Sequence, residues 1–66
     1  MSQLQPSQEQ QLYGLLDAVN KQLAEARRVR NTYHRKMMWN NERTATNDVL
    51  ELEAKRRSIE AQLDAL

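Results

Sequence analysis

Residues 39–48 read WNNERTATND, and the fold turns on whether this stretch is helix or a break between two helices. On its N-terminal side, positions 12, 16, 19, 23, 26, 30, 33 and 37 alternate by four and three. They hold Leu, Leu, Val, Leu, Ala, Arg, Tyr and Met, a heptad seam with one polar member, Arg30. On its C-terminal side a second stripe runs through Val49, Leu52, Arg56, Ile59, Leu63 and Leu66 with the same alternation. Carrying the first register straight through would put Asn40, Thr44, Asn47, Glu51, Ala54 and Ser58 on the seam, and these are mostly polar. Met37 and Val49 would stand roughly 120° out of phase on a continuous helix at about 100° per residue. A break removes the conflict, and the three Asn of the stretch suit one, because Asn tolerates the left-handed conformation that closes helix ends. No Gly or Pro occurs there, so a continuous or kinked rod is the competing reading.

The expectation is therefore an all-α, two-helix antiparallel coiled-coil hairpin with a long first helix and a shorter second one. A leader occupies residues 1–7, and Pro6 disfavours helix at Gln5 while Ser7 is a good N-cap. The first helix is expected over about 8–39, the loop over about 40–47 and the second helix over about 48–65. Asp48 with Glu51 three residues on resembles a capping box for the second start. Leu15 and Val29 flank the first seam and widen it, as in a helix with more than one neighbour.

With 66 residues, a chain buries only about 60% of its unfolded surface, and its core is marginal. Small domains are commonly reinforced by disulfides, a structural metal or oligomerisation. The chain has no Cys and a single His, which removes disulfides and His- or Cys-based metal sites and leaves oligomerisation. At 1.5 Å per residue the expected helices measure about 46 Å and about 28 Å. Leu12, Leu15, Leu16 and part of Val19 would then project beyond Leu66, with Leu23 next in line opposite Leu63. These five are the expected self-association surface, closing two hairpins into a helical bundle.

Charge is uneven along the chain. Residues 1–26 sum to −2, residues 27–43 to +5 and residues 44–66 to −2. Arg35, Lys36, Met37, Met38, Trp39 and Arg43 combine this positive charge with the residue types enriched at interface hot spots. They form the expected partner-binding tip, fitted to a protein with an acidic surface. The alternative reading gives the same segment, Arg27–Arg43, to nucleic acid, with Arg27, Arg28, Arg30 or Arg35 with Lys36, and His34 on phosphates and Tyr33 and Trp39 stacking on bases. A membrane-surface or calmodulin-type role would need the apolar face that the seam already occupies.

Catalysis finds no foothold. No nucleophile, base and orienting group can be assembled, and there is no Gly-rich phosphate loop or zinc-protease pattern. No cofactor is expected. Apolar runs are too short for a membrane span or a signal-peptide core, so the expected location is cytoplasmic. The expected function is that of a non-enzymatic adaptor, regulator or assembly subunit that pairs with itself and binds a protein partner through its tip.

Overall fold

The computed structural model describes residues 7–66. It is an all-α hairpin of two helices, α1 (Gln8–Arg35) and α2 (Trp39–Asp64), packed against one another along their lengths. Of the expected leader, residues 1–6 lie outside the described residues. Ser7 caps α1 as its sequence context predicts. Its Oγ accepts from the Gln10 N–H at 3.1 Å, and the Ser7 N–H donates back to Gln10 Oε1 at 3.3 Å. This reciprocal box satisfies two backbone donors of the first turn.

The break lies earlier than expected and is far tighter. Helix α1 ends at Arg35, and three residues, Lys36, Met37 and Met38, carry the chain into α2. The closure is a Schellman motif. The Met38 N–H donates to the Tyr33 carbonyl at 2.9 Å, and the Met37 N–H to the His34 carbonyl at 3.0 Å. Met37 takes the left-handed conformation, with φ 58°. The expected loop over 40–47 is instead helical, and Asp48 and Glu51 are exposed residues in mid-helix rather than a cap. Packing accounts for the difference: Ala45 is buried, and a buried helical position outweighs the weak preference of Asn for turns.

Moving the turn alters everything downstream. The helices have 28 and 26 residues, so α1 is longer by only half a turn and the expected overhang does not exist. Leu12 and Val19 are buried in one cluster with Ile59, with Leu16, Leu52 and Leu63 packed against it. Leu23, Ala45 and Val49 complete the buried set among the described residues. The seam residues Arg30 and Arg56, which a turn near Arg43 would set at one level, are drawn apart. Arg27 meets Glu53 at 3.0 Å and His34 meets Glu42 at 2.8 Å, which places Arg56 about six to ten residues, or about 9–15 Å, along the axis from Arg30. Both are half-buried, so their aliphatic stems still cover the seam. The Arg56 Nε is buried without a hydrogen-bond partner.

Two substitutions test this packing. Leu23 is 1% exposed and Leu50 is 56% exposed. Leu23→Ala is expected to cost about 2–5 kcal/mol, while Leu50→Ala should stay within about 0.5 kcal/mol of the native chain, as read by thermal or urea unfolding. Gly14 sits within α1, and a Cβ there meets nothing within 4 Å. Gly14→Ala should therefore stabilise the chain by about 1 kcal/mol.

Candidate interaction surfaces

Two surfaces stand out, one at the hairpin tip and one along a broad face. The tip is built by the Schellman closure. Because α1 stops at Arg35 and α2 starts at Trp39, Met37, Met38 and Trp39 occupy the apex, and they are 71%, 40% and 57% exposed. Trp39 stands edge-on to the His34 ring at 5.8 Å between centroids. His34 Nδ1 lies 2.8 Å from Glu42 Oε2, a contact that joins the last turn of α1 to the first of α2. Around these groups lie Arg35, Lys36 and Arg43, all exposed and none in an ion pair among the described residues. The cap residue of α2, Met38, makes no side-chain cap hydrogen bond, and the positive end of that helix dipole adds to the field of the three cations.

The remaining cations of the basic segment are occupied or withdrawn. Arg27 is tied to Glu53, Arg28 to Glu25, and Arg30 is half-buried. Tyr33 is also half-buried. Arg27, Arg28 and Arg30 are thus not gathered into one free track, whereas Arg35, Lys36, Met37, Met38 and Trp39 lie at the turn between the helices and Arg43 about one turn into α2.

The five residues expected for self-association divide differently. Leu12, Val19 and Leu23 are buried inside the hairpin, Leu16 is half-buried against the same cluster, and only Leu15, at 54%, is substantially exposed. Leu15 belongs instead to a second surface. A shallow groove follows one broad face of the hairpin: its middle stretch shares Gln22 and Lys55 with the stretch towards the free ends, Glu25 with one stretch towards the tip and Asp48 with another, and those last two share Val29 and Tyr33. Its α1 wall includes Leu15, Ala18, Gln22, Ala26, Val29 and Tyr33, a stripe of threes and fours one flank over from the buried seam, together with Lys21, Glu25, Arg28 and Thr32. Its α2 wall is polar, with Asp48, Glu51, Lys55 and Ser58 among its members. The sequence signals this stripe only through Leu15 and Val29. Ala18 and Ala26 are too small, and Gln22 too polar, to register as a seam.

Among the described residues no group of three or more His, Cys, Asp or Glu is placed to hold a metal ion, and no helix is long and apolar enough to cross a membrane. Comparison with family models, with curated proteins and with solved structures gave no match.

Met37 gives a direct test of how the tip is built. A non-Gly residue in the left-handed region costs about 1–2 kcal/mol, and Gly removes that cost at C′. Met37→Gly is expected to raise stability by about 1 kcal/mol in urea unfolding, with helix content unchanged by circular dichroism.

Proposed function

We propose that the protein is a non-enzymatic helical-hairpin interaction protein that binds an acidic surface on a partner protein through its tip. The observation that carries this reading is Met37. The closure needs a left-handed residue there, and Gly or Asn would serve at lower cost. The chain instead places a large apolar side chain that is 71% exposed. Strain held at an exposed site with no return to the fold is a reason to look for a use outside it. The neighbours agree with such a use. Trp39 and Met38 supply apolar contact area, and Arg35, Lys36 and Arg43 add positive charge that is in no ion pair among the described residues. An apolar centre with a charged rim is the usual anatomy of a protein-binding patch.

A nucleic-acid partner is the second reading, resting on the same cations. It is weakened by the ion pairs that hold Arg27 and Arg28, and by the compactness of what remains.

The test is capture of partners by the intact chain from its source lysate, with and without nuclease, followed by titration of the captured partner. A protein partner should survive nuclease, and Trp39→Ala should weaken it by about 2 kcal/mol or more, roughly thirtyfold. Partners that vanish with nuclease, with a steep loss of affinity as salt rises, would assign the tip to nucleic acid instead.

A further inference from the structure

Every thioether of the described residues stands at the apex. Met37 and Met38 are adjacent in the turn, both are exposed, and neither belongs to the buried core. The bonds that close α1 also bring their backbone against His34. The Met37 N–H donates to the carbonyl of His34 itself at 3.0 Å, and the Met38 N–H to that of Tyr33, one residue earlier, at 2.9 Å. Both sulfur-bearing side chains therefore start within one hydrogen bond of the helical turn that carries the imidazole. Three rotatable bonds let each Met swing its sulfur over a wide arc. The His34 side chain is exposed beside them.

The imidazole is already held as a metal-binding histidine is. Its Nδ1 lies 2.8 Å from Glu42 Oε2. A carboxylate oxygen only accepts, so Nδ1 carries the proton and the neutral ring keeps its free lone pair on Nε2. A carboxylate on one ring nitrogen fixes the tautomer and orientation of the ring and raises the basicity of the other nitrogen, which is the usual outer shell of a ligating histidine. Glu42 is the only acidic residue between Arg27 and Arg43, and this contact occupies it. Trp39, at 5.8 Å between centroids, sets an indole beside the ring.

We propose that His34 Nε2 and the sulfurs of Met37 and Met38 form a site for one copper(I) ion. The donor set selects this ion. Thioether sulfur is a ligand for copper(I), imidazole suits copper among other metals, and copper is where the two preferences meet. Zinc takes thiolate, imidazole and carboxylate donors, and one imidazole with two thioethers offers it no anionic ligand. Magnesium and calcium need oxygen ligands, and the one nearby carboxylate is spent on His34. Arg35, Lys36 and Arg43 add a positive field at the tip, in no ion pair among the described residues. That field opposes a divalent ion twice as strongly as a monovalent one. All three ligands are neutral, so the ion keeps its single charge and neither thioether releases a proton on binding. The site goes beyond the tip-binding reading and does not rest on it. It gives the strained, exposed Met37 a use of its own.

Silver(I) is the probe, since it shares the filled d shell and soft-ligand preference of copper(I) and keeps one oxidation state in air. Titrated into the full chain in chloride-free buffer, one equivalent should bind with a dissociation constant on the order of micromolar. It should quench Trp39, the one Trp of the chain, and shift the Met37 and Met38 methyl and His34 ring resonances at the same stoichiometry. Met37→Leu and Met38→Leu nearly conserve volume at exposed positions. Each should weaken silver by about tenfold or more with helix content unchanged, and Glu42→Ala should do the same through the ring it orients. Met37→Gly should lose silver while stabilising the fold, so the loss cannot be laid to unfolding. Copper(I), kept reduced by ascorbate, should displace silver, and equimolar zinc(II) should not. A chain that binds no silver at about 100 μM would overturn the proposal. So would binding that survives Met37→Leu and Met38→Leu combined, which is imidazole alone, or a site that zinc fills in preference to silver.

Discussion

The rest of the structure depends on the pair of backbone hydrogen bonds that closes α1, from Met38 to the Tyr33 carbonyl and from Met37 to the His34 carbonyl. In a two-helix protein the turn sets the register, and the register decides which side chains meet. With the chain reversed at Lys36–Met38, Ile59 joins Leu12 and Val19, Glu53 reaches Arg27, and Glu42 reaches His34. The same closure leaves Met37 and Trp39 exposed at the apex. Core and tip are consequences of one local event.

Much of the core was legible in the sequence because burial and heptad spacing report the same physics. The alternation from Leu12 to Leu23, and from Val49 to Leu63, marks the faces that pack, and Ser7 marks where α1 begins. The position of the turn was not legible. Its left-handed residue is Met37 rather than Gly or Asn, so the usual chemical marker is missing. The Asn residues that imitate that marker are carried into α2, where Ala45 is buried. Once the turn was displaced, the inferred overhang followed it into error, because a loop over 40–47 would have left α2 too short to cover Leu12 and Val19.

The tip was legible as composition and the groove only in part. Arg35, Lys36, Met37, Met38, Trp39 and Arg43 lie close together in the sequence, so any turn near them brings them to one end. Which basic residues remain free was not readable, since the pairing of Arg27 with Glu53 depends on register. The groove follows from a second stripe on α1 whose small and polar members hide it. A surface shared by two helices cannot be read from either one alone.

The position of the turn is the claim from which the others descend, and backbone nuclear magnetic resonance tests it most directly. The account predicts a three-bond HN–Hα coupling and carbon shifts at Met37 that report positive φ, with unbroken helical shifts and slowed amide exchange from about residue 43 through 60. Non-helical shifts and rapid exchange over 40–47, with ordinary helical values at Met37, would place the turn elsewhere and contradict the register, the tip and the groove together.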